Sequence, residues 1–178
     1  MLDVIALSHS LLVHFSIALF LFSVIAYLIS YFSKGYYVKH QAGIMARWAL
    51  WIGAFFTLIT SVVGFFSSIY SGHDDFSHVL VKEHRNLALL LTIVILVLAL
   101  WGWVLYQKES ENLGGFVFFQ SLAGIAMVYV MWSGSVLVFQ HGIGVKSLPD
   151  IASHQHRLFE LKESEKEEKS FFANLLSP

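Results

Sequence analysis

Apolar residues in this chain neither alternate nor recur along a narrow helical stripe. They fill four long blocks. Val4–Ser33, Trp48–Gly72, Asn86–Gln107 and Asn112–Val145 contain no Asp, Glu, Lys or Arg. Each block is long enough, as a helix, to cross about 30 Å of hydrocarbon. Only helices and closed barrels satisfy the backbone inside lipid, and barrel strands would alternate apolar with polar residues. The pattern therefore predicts transmembrane helices near 9–32, 47–70, 84–107 and 115–140. Short connections force successive helices to be antiparallel neighbours, with the first diagonal to the third and the second to the fourth. The expected fold is an all-α membrane protein, an up-and-down four-transmembrane-helix bundle over 1–145. A charged C-terminal tail follows over 146–178.

An even number of spans puts both termini on one side, here side A. The 71–83 connection shares side A, and 33–46 and 108–114 form side B. Trp48, Trp51, Trp101, Trp103, Tyr106, Tyr31, Tyr36 and Tyr37 fall at the side B ends and read as an aromatic belt. Lys34, Lys39, Arg47 and Lys108 on side B balance Lys82, Arg85, Lys146 and Arg157 on side A, so the count of positive charge does not set the orientation. The compact, basic 33–47 connection favours a cytoplasmic side B, with the termini periplasmic.

Composition sharpens this picture. Of 178 residues, 57% are hydrophobic and 13% charged, too apolar for a soluble domain. A net charge of −1 gives no footprint for nucleic acid. The first block lacks a basic leader, follows directly on Asp3 and is too long for a cleaved signal core, so it reads as a retained span. The absence of Cys excludes thiolate metal sites, iron–sulfur clusters and covalently attached c-type haem within this chain. The tail stretch RLFELKESEKEEK reads as a solvated helix, and FFANLL after it as a membrane-surface or docking segment.

Candidate chemistry rests on histidine. His9 and His14 lie at the side A end of the first span, His84 at the start of the third and His141 at the end of the fourth. His73 and His78 lie in the side A connection, and only His40 belongs to side B. Ionisable side chains at membrane depth usually face the bundle interior. His14 has the best claim to the interior. It stands about 140° around the helix from His9, so the two address different partners. Ser77 is a candidate N-cap, which would start the third helix near His78 and set His84 two turns inside. A single interfacial His is more often an ordinary polar residue than a ligand, and His40, His154 and His156 are read so. Met127 and Met131 are read as packing.

Imidazoles so placed suit zinc or copper, or both axial positions of haem iron. Gly53, Thr57, Thr60, Gly64 and Ser68 give the second helix a face of small residues, and Gly124, Ser133, Gly134 and Ser135 lie on the fourth. Such faces usually serve close helix packing; beside a planar cofactor they would form a smooth wall. Lys82, Arg85 and Lys146 lie at the histidine end. They serve as interfacial anchors or as partners for haem propionates.

Residues 9–19, HSLLVHFSIAL, are similar to the signature His-Pro-x-x-Val-His-Phe-Pro-Ile-Ala-Leu of a bacterial membrane family, domain of unknown function 2231. EHRNLALLL at the third span resembles that family's His-x-x-x-Asn pattern, and GSVLVFQHGIGV, Gly134 to Val145, resembles its Gly-x-x-Val-x-x-His-Gly-Val-Gly-Val. The likeness covers 9–145 and departs at Ser10 and Ser16, where the family commonly has proline. The resemblance implies kinship with di-haem b-type cytochromes, with His9, His14, His84 and His141 at the motif positions. The expectation is a b-type cytochrome of the bacterial cytoplasmic membrane, holding one or two haems b. His14 would pair with His84, and His9 with His141. It would be an electron-transfer subunit rather than an independent enzyme. It would exchange electrons at side A with a cytochrome or quinone, in a larger complex or a homo-oligomer. The rivals are a transition-metal sensor or transporter, using the same histidines with Asp74 or Asp75, and a cofactor-free structural subunit of a respiratory complex.

Overall fold

The computed structural model describes residues 2–70, 75–109, 113–142 and Lys166. Those residues form four helices, α1 (Leu2–Phe32), α2 (Tyr36–Tyr70), α3 (Asp75–Gln107) and α4 (Gly114–His141). All four are long and apolar enough to cross a membrane, over Ser8–Phe32, Tyr36–Ile69, Val79–Gln107 and Gly114–Gln140. They belong to one unit, Met1–Gly144; of the second, Val145–Pro178, only Lys166 is described. The charged tail expected from the sequence thus lies outside the described residues.

Neighbours in sequence are neighbours in space. α1 packs on α2, α2 on α3, α3 on α4 and α4 back on α1, while the diagonal pairs make no close backbone approach among the described residues. Three helices start earlier than the expected spans, α1 at Leu2, α2 at Tyr36 and α3 at Asp75. The expected 33–46 connection is helix from Tyr36 onward, so Ser33, Lys34 and Gly35 alone join α1 to α2. Residues 36–46 contain no proline, and once the apolar block nucleates a helix each further residue adds a hydrogen bond at little cost. The first bond of that extension runs from the Lys39 N–H to the Gly35 carbonyl at 3.0 Å. α3 starts at Asp75, which sets His84 nine residues inside it.

α1 and α2 form the tightest pair, and small residues explain why. His9, Ser16, Ser23 and Ser30 recur every seven residues, one side of a helix in each two turns. The three serines are buried. Ser16 Oγ meets Thr60 Oγ1 at 2.8 Å, Ser23 Oγ donates to the Ala46 carbonyl at 2.9 Å, and Ser30 Oγ donates to the Lys39 carbonyl at 2.9 Å. Gly53 brings the backbones together: a β-carbon there would lie 3.3 Å from the Phe20 nitrogen. The serine at 16 also keeps α1 continuous, since proline has no N–H for the ladder and its ring would clash with the preceding turn.

The core fills with Phe20, Leu50, Ile95 and Phe116, all nearly inaccessible. Tyr27 packs edge-on to Phe116 at 5.0 Å. Gln120 of α4, fully buried, donates its amide to Ser23 Oγ at 2.7 Å and so ties α4 into the α1–α2 seam. Ser23→Ala removes that hinge point and leaves the Gln120 amide without its acceptor. We expect a loss of about 1 kcal/mol, the usual worth of such a bond between membrane helices, read as a lower thermal unfolding midpoint in detergent. Outward, each span is dominated by exposed Leu, Ile, Val and Phe, with at most 33% of any span's most apolar window buried inside the chain. Water is a poor solvent for such a surface and lipid a good one, so the chain is a multi-pass membrane protein in contact with the bilayer.

Candidate functional site

At the side A end two imidazoles from diagonal helices turn into the bundle. His9 stands near the start of the α1 span and donates Nδ1–H to the Thr60 carbonyl of α2 at 3.2 Å. A carbonyl only accepts, so the proton must reside on Nδ1 and the lone pair on Nε2. The ring lies flat over Gly64: a β-carbon added there would come within 2.6 Å of His9 Cε1. No side chain larger than hydrogen fits without moving the ring.

His84 repeats this arrangement on α3. Its Nδ1 meets Ser133 Oγ of α4 at 2.8 Å, and Ser133 in turn donates its hydroxyl proton to the Val130 carbonyl at 2.8 Å. With that proton committed, the serine oxygen accepts from His84 Nδ1–H, and Nε2 again carries the lone pair. Gly134 is the seat, its notional β-carbon 3.0 Å from His84 Cε1. Neither Nε2 has a hydrogen-bond partner among the described residues. A tethered Nδ1 with a free Nε2 is how proteins hold metal-ligating imidazoles in one tautomer and one orientation.

Arg85 follows His84 and reaches towards α2, its Nη1 donating to Ser68 Oγ at 3.4 Å and its guanidinium 5.6 Å from the Phe65 ring centre. Its Nε is buried without a partner among the described residues. An N–H left so is costly and marks a place for an acceptor.

The other expected residues fall elsewhere. His14 is exposed on the outer face of α1 and turns Nδ1 to the Ser10 carbonyl of its own helix at 2.6 Å. The residue with the best sequence claim to the interior therefore lies outside it, and His84 shares the interior with His9 rather than with His14. His141 ends α4, but its side chain, like that of His78, lies outside the described positions, as do His73, His154, His156 and Asp74 entirely. His40 is exposed and stacks on Tyr36. Among the described residues no three His, Cys, Asp or Glu side chains gather as a metal cluster. Ser133 and Gly134 appear in the sequence merely as small residues; the signal of their role is that they adjoin one another on the helix next to His84.

The small face of α2 serves two ends. Gly53 carries helix packing, while Thr60, Gly64 and Ser68 receive His9 and Arg85. Gly142, in the motif at the end of α4, caps that helix with a positive φ of 64° and returns its N–H to the Leu137 and Val138 carbonyls.

Comparison with known proteins gives one family, described as predicted membrane protein (DUF2231), whose model matches residues 8–147. The chain matches none of the curated proteins and none of the solved structures it was compared with.

Proposed function

The chain belongs to the DUF2231 family of predicted membrane proteins, and within that four-span frame we propose that it is a b-type cytochrome that passes single electrons near side A. One observation carries the reading: His9 and His84, from diagonal helices, are each tethered through Nδ1 and seated on glycine, which leaves both Nε2 atoms available as ligands. Those two nitrogens would hold the iron of one haem b. Haem supplies a reversible one-electron couple between ferric and ferrous iron.

The residues do the rest. Thr60 and Ser133 hold the imidazoles in the ligating tautomer. Gly64 and Gly134 set the ring planes. Arg85, whose Nε meets no acceptor among the described residues, suits a propionate carboxylate, an N⁺–H···O⁻ bond of the strong kind. Without cysteine, attachment would be non-covalent.

Because both ligands lie in the side A half, electrons would be collected or delivered there, in exchange with a cytochrome or quinone. We place the chain in a bacterial cytoplasmic membrane with side A periplasmic, on the basic side B connection. A pyridine haemochrome assay with protein quantitation tests the proposal. Haem b near one per chain is expected; a colourless protein that retains zinc or copper would point to a metal-ion site, and a colourless protein with neither to a structural subunit.

A further inference from the structure

We infer that the opposite, side B end of the bundle holds the headgroup of a zwitterionic phospholipid, its phosphate at Arg47 and its ammonium at Glu109. This inference is independent of the haem reading. A cavity of about 380 Å³ opens there, with lining from all four helices, including Tyr27 of α1, Arg47 of α2, Tyr106 of α3 and Phe116 of α4. That volume suits a small headgroup.

Its charges are unusual. The Arg47 guanidinium lies 4.4 Å from the centre of the Tyr106 ring. Among the described residues no hydrogen bond engages its N–H donors, the fork that recognises phosphate in pairs. Among the described residues no carboxylate pairs with Arg47, although Glu109 lines the same cavity. Glu109 is set by the turn that ends α3, with φ at 49° and its N–H on the Tyr106 carbonyl at 3.1 Å. A positive and a negative group that share a chamber without meeting fit a guest carrying both signs. An anion alone would meet Glu109 unfavourably, and a cation alone would meet Arg47.

The location selects a lipid. The cavity adjoins the aromatic belt, where Trp51 packs on Trp103 at 5.4 Å and on Tyr106 at 6.0 Å. Such belts mark headgroup depth. Leu105 and Leu113 supply apolar wall for the first carbons of an acyl chain.

The test is native mass spectrometry of the full chain in neutral detergent with equal phosphatidylethanolamine, phosphatidylglycerol and phosphatidylcholine of matched chains. Retention of phosphatidylethanolamine should exceed both others by roughly tenfold, the scale of one charge-assisted bond. Arg47→Gln should lower retention of all three. Glu109→Gln, an exposed turn position, should erase the preference and spare phosphatidylglycerol. Circular dichroism establishes that both variants keep their helicity. Equal retention of the three lipids by the parent, or an intact preference in Glu109→Gln, would overturn the inference. So would displacement of bound lipid by soluble phosphoethanolamine at equal concentration, which would assign the cavity to a free zwitterion.

Discussion

On the proposed haem reading, replacing His84 with alanine is expected to abolish a low-spin haem spectrum and to lower haem content by more than about tenfold. The comparison that sets this scale is the loss of a hydrogen bond to a ligand, which alone costs roughly ten- to a hundredfold in metal affinity. Removing the ligand itself must cost more. His9→Ala should do the same, because a haem held from two diagonal helices needs both. Ser133→Ala should give a smaller effect. It keeps the His84 ring but removes the oxygen that accepts Nδ1–H at 2.8 Å, so the imidazole is free to rotate or to change tautomer. His14→Ala should leave spectrum and content unchanged, since that ring faces outward and bonds to its own helix. The check is the absorbance of purified variants, normalised to protein. Equal losses from His14 and His84 would refute the placement.

The second large effect comes from a single methyl group. Gly64→Ala should displace His9 and lower haem affinity by roughly tenfold, although no ligand is removed. The new carbon would lie 2.6 Å from His9 Cε1, closer than carbons approach without something shifting. Relief requires rotating the ring off the Thr60 carbonyl or spreading α1 from α2 along a seam with little slack. Overpacking of this kind costs about 1–3 kcal/mol, and the ligand geometry takes the strain. Gly134→Ala should be milder, since its contact to His84 is 3.0 Å. Gly35→Ala meets nothing within 4 Å and serves as the control. Haem titration into the apo-variants, followed at the Soret band, measures all three.

Much of the fold was legible because lipid imposes a coarse rule: charge-free blocks of sufficient length become spans. The four helices and their cyclic order follow from that rule and from short connections. Helix ends were less legible. Residues 36–46 carry polar groups and so look like a loop, yet the helix continues through them because propagation is cheap and Ser30 accepts the geometry by bonding the Lys39 carbonyl.

The site was legible in part. One-sided histidines and small residues on α2 are visible in the sequence, and His9, His84, Gly64 and Gly134 are where they meet. The rotation of α1 was not legible. His9 and His14 both look eligible, and which one turns inward depends on the face α1 offers to α2. The spacing of His9, Ser16, Ser23 and Ser30 at every seventh residue carried that information. Buried serines mark a seam between membrane helices as surely as leucines mark one in water, because lipid removes the hydrophobic contrast and leaves close approach and hydrogen bonds to hold helices together.

The electron paramagnetic resonance spectrum of the oxidised, full-length protein tests the central claim most directly, since it reads the ligands of the iron themselves. The expected result is a low-spin ferric signal of two-imidazole ligation, lost in His9→Ala and in His84→Ala and kept in His14→Ala. A folded protein from haem-replete cells that carries no such signal, or one whose signal survives both interior substitutions, would contradict it.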